Sequence, residues 1–177
     1  MIKITSTPCP HNCGAVTSDV YLLGDITNPE DYIEVVELLR GASDLDVINI
    51  HLNTDGGSLD TADMLYNVIS SSKALTTACL YGLVASAGTI IALATDVLTV
   101  SKGVKFLIHK PYTPEQSADV QTERQWKAAN TLLYNDVFSR LLSAGELAEV
   151  AAGGEILLTR SDIARRVDNG GSGYVRN

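Results

Sequence analysis

The chain has 177 residues, enough for one domain that buries roughly two-thirds of the surface its unfolded form exposes. Its composition, 45% apolar and 19% charged, is that of an ordinary water-exposed globular fold, and no segment nears the ~18 consecutive apolar residues needed to cross a bilayer. With 13 basic and 21 acidic residues the net charge is −8, which repels phosphate backbones and anionic lipid, so nucleic-acid and membrane partners are excluded.

The first residues, Met1-Ile2-Lys3-Ile4, lack the unbroken apolar core of a secretory signal, and a cytoplasmic location is expected. Residues 1–18 read as an N-terminal arm or axial loop, 19–168 as the folded domain, and the glycine-rich 169–177 as a flexible tail. Within the arm, Cys9-Pro10-His11-Asn12-Cys13 places three soft ligands close together. Zinc takes four ligands at wider paired spacing, so no metal site is expected, and the odd cysteine set, completed by Cys79, implies no disulfide framework. No cofactor is expected.

Val20–Leu23 is a short apolar strand closed by Gly24-Asp25. Asn28-Pro29-Glu30 combines a capping residue, a proline at the first helical position and an acid in the first turn, which opens a helix to about Arg40 with Ile33, Val36 and Leu39 on its buried face. Val47–Leu52 is nearly continuous in apolar residues, as a strand covered on both faces would be, and Asn53-Thr54-Asp55-Gly56-Gly57 ends it. A helix over about 59–72 follows, capped by Ser58 or Asp60, with Ala62, Leu65, Val68 and Ile69 on one side. Leu75–Tyr81 returns as a strand, and the helix at 86–95 has almost no polar face and should be buried. Val97–Ser101 and Val104–His109 read as a hairpin through Lys102-Gly103.

Pro111 and Pro114 delay the next helix, which then spans about 116–143 until Gly145 breaks it. A short helix at 146–152, a brief apolar segment at 156–158 and a helix capped by Ser161-Asp162 complete the domain. Alternating strands and helices imply an α/β fold with right-handed crossovers around a mostly parallel sheet.

Three stretches carry the chemistry. Tyr81-Gly82-Leu83-Val84-Ala85-Ser86-Ala87-Gly88 sets one serine between small residues at a strand-to-helix junction. A serine in that place ordinarily caps the helix, but a hydroxyl beside a base becomes a nucleophile, and His109 at a strand exit is placed to be that base. The glycine turn at 56–57 offers backbone amides to an oxyanion, and the exposed amides of the helix that Ser86 begins favour negative charge.

In these stretches the sequence resembles the ClpP family of Clp serine peptidases. That family's Asn-Ser-Pro-Gly-Gly, Ala-Ser-Met-Gly and Met-Ile-His-Gln-Pro stand here as Asn53-Thr54-Asp55-Gly56-Gly57, Ala85-Ser86-Ala87-Gly88 and Leu107-Ile108-His109-Lys110-Pro111. The resemblance runs in order from about Asp19 to Val167. It implies the ClpP/crotonase-like fold of repeated strand-strand-helix units with a long protruding helix. It also implies Ser86 as nucleophile, His109 as base, and an oxyanion hole from the amides of Gly57 or its neighbour Gly56 and of Ala87. The third member falls on Glu155 of Glu155-Ile156-Leu157-Leu158-Thr159, where the family has aspartate, with Asp162 and Asp136 as alternatives.

The implied activity is ATP-dependent endopeptidase action on unfolded polypeptides inside a homo-oligomeric heptameric ring, single or stacked in pairs as a tetradecamer. A hexameric AAA+ unfoldase would supply the energy, since this sequence contains no ATP-binding loop. Departures from the pattern include Asp55 in place of proline, expected to face solvent, and a short segment from Tyr112 to Gln116 where the family has a glycine-rich strand for ring contact. Two rival readings are a silent ring subunit or scaffold and a crotonase-type acyl-CoA enzyme.

Overall fold

Parallel strands with buried crossover helices make up the centre of the computed structural model, which describes residues 1–10, 14–110, 135–170 and 174–176. In chain order the strands are β1 (Ile2–Pro8), β2 (Val16–Leu23), β3 (Val47–Thr54), β4 (Leu75–Ala85), β5 (Val97–Val100), β6 (Lys105–His109), β7 (Glu155–Leu158) and β8 (Tyr174–Arg176). The helices are α1 (Ile33–Gly41), α2 (Leu59–Ser70), α3 (Ala87–Leu93), α4 (Ala144–Ala151) and α5 (Arg160–Gly170). One sheet runs β1-β2-β3-β4-β5-β8, and β6 joins β4 to β7. The β2, β3, β4, β5 and β8 neighbours are parallel, whereas the β1–β2 and β6–β7 pairs are antiparallel. The expected α/β architecture is present.

Several local expectations change. Ile2–Pro8, read as an arm, pairs along its whole length with β2 as the edge of the sheet, and Tyr174–Arg176 in the expected tail pairs with β5. The alternation of branched residues in Ile2–Thr7 explains the first. The expected hairpin of β5 and β6 does not form. Both strands run parallel to β4, β5 against Thr77–Leu80 and β6 against Leu83–Ala85, so they stand end to end along one edge. An eleven-residue β4 exposes more ladder groups than the four-residue β5 can satisfy, and the turn at Gly103 (φ 78°) shifts the chain along that edge without reversing it. The long helix expected at 116–143 falls mostly outside the described residues, as do His11 and Cys13.

The core lies between the helices and one face of the sheet. Val20, Leu22, Ile48, Ile50, Leu52, Ala78 and Leu80 point there from β2–β4, against Tyr32, Val35 and Leu39 and against Ala62, Leu65, Val68 and Ile69 of α2. Every residue of α3 is buried, as its lack of a polar face requires. The α1 stripe differs from expectation: Ile33 is exposed and Val35 buried. Pro29–Tyr32 form a 3-10 turn, which starts α1 later and sets its phase from Tyr32, so the inward positions become Tyr32, Val35 and Leu39.

The opposite face of β2–β4 is polar, and among the described residues β3 is covered on one side. His51 stacks on Tyr21 at 4.4 Å and on Tyr81 at 5.9 Å. Its Nε2 lies 2.9 Å from Asp19 Oδ1 and its Nδ1 3.1 Å from the Tyr81 hydroxyl. The His51 hydrogen bond holds the Asp19 carboxyl below the usual carboxylate range, aided by Asn49 and opposed by partial burial. Beyond β6, α4 carries a capping box in which Ser143 and Glu146 satisfy each other's orphan groups. Arg166 of α5 grips Glu146 at 2.7 and 2.9 Å and reaches the Leu141 carbonyl at 2.9 Å, tying the C-terminal elements together. The α5 cap is Thr159, whose hydroxyl and amide bond Asp162, and not the expected Ser161-Asp162 pair.

Candidate active site

Ser86 ends β4 and begins α3 with φ 53° and ψ −122°, the only non-glycine positive φ among the described residues. Such a conformation costs on the order of 1–3 kcal/mol and persists where surrounding bonds over-determine it. They do so here: the Ser86 amide donates to the Leu107 carbonyl at 3.0 Å, and its carbonyl accepts from the Thr89 amide at 2.9 Å and the Thr89 hydroxyl at 2.5 Å. The Ser86 side chain makes no capping bond. A plain helix cap would have spent its hydroxyl on α3; this one is left half-exposed at the junction.

The glycine turn closes over that hydroxyl. Gly56 is buried with φ 108°, and a Cβ there would lie 2.6 Å from Ser86 Cβ and 3.2 Å from Ser86 Oγ, so only glycine admits the approach. The turn is clamped from outside, since Ile26 donates to the Gly56 carbonyl and accepts from the Ser58 amide, both at 2.8 Å. A Cβ on Gly57 would lie 2.1 Å from the Ile26 carbonyl oxygen. The Gly56 amide is spent on Thr54 Oγ1 at 3.0 Å. The amides of Gly57 and Ala87 have no acceptor among the described residues. Of the two glycines, Gly57 therefore holds the open donor and Gly56 the close approach. Asp55 is exposed, as expected.

His109 is the last residue of β6, whose Leu107 is bonded to the Ser86 amide. Side chains two apart share a face of a strand, so His109 stands one repeat along from the serine junction. Its Nδ1 lies 2.8 Å from the Lys110 carbonyl oxygen. A carbonyl only accepts, so in a neutral ring Nδ1 carries the proton and Nε2 is left as the acceptor, the form a general base requires. Ser86 Oγ makes no hydrogen bond among the described residues; hydrogen bonds of a nucleophile often form only once substrate is bound.

Glu155 is the cross-strand partner of His109 in the antiparallel β6–β7 pair. Its side chain is exposed and its carboxylate makes no hydrogen bond or ion pair among the described residues. Asp162 is engaged at the start of α5 with Thr159 and Arg165, bonds that hold its carboxyl low, the Thr159 hydroxyl foremost. Asp136 is an exposed residue of the helical segment 135–138. Of the three acids, the fold sets only Glu155 opposite the histidine. Among the described residues no cluster of His, Cys, Asp or Glu is arranged to hold a metal ion, and no helix is long and apolar enough to cross a membrane.

Two features had weak sequence signals. The Lys110 carbonyl is a backbone group and leaves no trace in residue type. Thr54, whose hydroxyl takes the Gly56 amide, looks in sequence like any turn residue.

Comparison with known proteins decides the family. The Clp protease family model matches residues 19–141. The chain belongs to the Clp protease family. Two similar solved structures are ClpP1 from Listeria monocytogenes, with TM-score 0.66, 21% identity and coverage of 90% of this chain and 92% of that one, and a point mutant of the same Listeria protein, with TM-score 0.67, 21% identity and coverage of 90% and 91%. At that identity they show the shared ClpP fold. No curated protein matches the chain significantly. As a Clp-family chain with a ClpP fold, it is a ClpP-like peptidase in its broad class.

Proposed function

We propose that the chain is a serine endopeptidase working through an acyl-enzyme. His109 Nε2 takes the Ser86 proton as Oγ attacks a peptide carbonyl. The oxygen that becomes negative is met by the open amides of Gly57 and Ala87, the latter at the positive end of α3. The imidazolium returns its proton to the leaving amine, and a water activated by the same ring releases the acyl group. The Lys110 carbonyl orients the ring, while Glu155 across the β6–β7 pair supplies negative charge as the imidazolium forms. The observation that carries this reading is a strained, uncapped serine packed against a glycine turn and flanked by two unspent amides.

By family likeness the substrates are unfolded polypeptides, the assembly a heptameric ring, single or doubled, and the partner an AAA+ unfoldase, in the cytoplasm. A fluorophosphonate probe tests the chemistry: labelling of the assembled protein that disappears in Ser86→Ala is expected. A correctly assembled ring that never labels would make the chain a scaffold, and turnover of a CoA thioester surviving Ser86→Ala would make it a crotonase-type enzyme.

A further inference from the structure

We infer that Thr54 is a positioning residue whose hydroxyl sets the Gly57 oxyanion donor against the start of α3, on which its methyl packs; the inference rests on the peptidase reading. Thr54 is the last residue of β3, is 2% exposed, and faces the core side of the sheet. Its register is unusual. Leu52 pairs with Leu80 but Thr54 with Val84, so β4 gains two residues over this stretch, with Gly82 (φ 53°) turned against the Asn53 side chain. That irregularity carries the end of β4, and Ser86 beyond it, past the end of β3, where Thr54 meets both loops of the site.

One side chain then serves two donors. Thr54 Oγ1 accepts the Gly56 amide at 3.0 Å, which fixes the Asp55–Gly56 peptide, and donates at 3.5 Å to the Gly56 carbonyl, the oxygen of the peptide that carries the Gly57 amide. Its methyl lies so close to α3 that a Cβ on Gly88 would come within 2.4 Å of Thr54 Cγ2. The residues it holds, Gly56 and Gly88, are the immediate neighbours of Gly57 and Ala87, whose amides are open. A buried amide such as that of Gly56 must find an acceptor. Without the hydroxyl, the Asp55–Gly56 peptide turns to find one elsewhere, and the next peptide, which carries the Gly57 amide, keeps only the Ile26 bond to the Gly56 carbonyl among the described residues and shifts about it. The hydroxyl therefore acts on catalysis through backbone, without touching substrate.

Thr54→Val keeps the shape and removes the acceptor, whereas Thr54→Ser keeps the acceptor and removes the methyl. Measured on the full assembled chain, with kcat per site titrated by the fluorophosphonate, Thr54→Val should lose about tenfold to a hundredfold in kcat with KM within about twofold. That range lies below the 10²–10³ lost when an oxyanion donor is deleted outright. Thr54→Ser should stay within about threefold. Hydrogen exchange over residues 53–58 gives a readout independent of activity, and it should quicken in Thr54→Val and not in Thr54→Ser. Equal kcat in wild type and Thr54→Val, equal losses in both variants, or unchanged exchange in Thr54→Val would each overturn the positioning role. An unreactive wild type whose exchange still quickens in Thr54→Val would instead overturn the peptidase reading and leave the hold on the turn intact.

Discussion

Replacing Glu155 with glutamine separates charge from orientation at His109. Directly opposed residues of an antiparallel pair have Cβ atoms about 5 Å apart, and a carboxylate-to-ring separation of about 6 Å is the working value for this pair. Coulomb's law at that separation gives about 0.7 kcal/mol in bulk water and about 2.8 kcal/mol at an effective dielectric near 20. Glu155 is exposed and His109 half-exposed, which favours the watery end. Stabilisation of the imidazolium by about 1 kcal/mol corresponds to roughly fivefold in kcat. Loss of an acid that fixes the tautomer is far costlier, about 10⁴ in the serine-protease template. Here the Lys110 carbonyl fixes it, and glutamine leaves that bond alone. Glu155→Gln should therefore lower kcat on a fluorogenic peptide about three- to tenfold at low ionic strength, and by less in 1 M salt, where the screening length falls to about 3 Å. A loss beyond about 10³ would refute the argument, because it would mean that the carboxylate accepts the Nδ1–H hydrogen bond in the working enzyme in place of the Lys110 carbonyl. Equal rates at low salt would remove Glu155 from the mechanism.

Gly56→Ala should fold with a lowered melting temperature and lose fluorophosphonate labelling at least a hundredfold, since the new Cβ would need to occupy space 2.6 Å from Ser86 Cβ at a φ of 108°; wild-type labelling rates would show that the turn does not close on the serine. Arg166→Met should cost about 1 kcal/mol of unfolding free energy at neutral pH, a bidentate pair partly screened by solvent. Arg166 foremost, with Ser143, lowers the Glu146 carboxyl from 4.5 to about 2, so its contribution is complete above pH about 4.5 and is lost as pH falls toward about 2. Denaturant titrations of wild type and variant should accordingly converge across that interval, and a constant difference would contradict the assignment.

What was legible in the sequence is what backbone conformation forces into residue type. Gly56 must be glycine because Ser86 lies against it, α3 must be apolar all round because every side of it is buried, and both signals sit in short contiguous stretches. The α2 stripe of Ala62, Leu65, Val68 and Ile69 emerged for the same reason, with a helix period unbroken by 3-10 geometry. In α1 the 3-10 turn at Pro29–Tyr32 moved the stripe and Ile33 with it. Strand partnering was less legible. A tight turn between two apolar strands suggests a hairpin, yet β5 and β6 share one face of the core and one edge of β4, and nothing local distinguishes reversal from offset.

The polar face of β2–β4 and the surroundings of His109 were hidden for the same reason. Asp19, His51 and Tyr81 lie on three different strands and meet only once the parallel register is set, so a strand read alone as a nearly continuous apolar run concealed the alternation of Asn49 and His51. His109 was placed by its motif, but its surroundings depend on a carbonyl from its own chain and on β7, which pairs antiparallel to β6 from more than forty residues away. The residue type at 155 tells less than its register. A one-residue slip of β7 would send Glu155 to the other face of the sheet and leave the Lys110 bond unchanged. Under the proposed mechanism, charge assistance at His109 is therefore separable from ring orientation, which would let a glutamate stand where the family has aspartate.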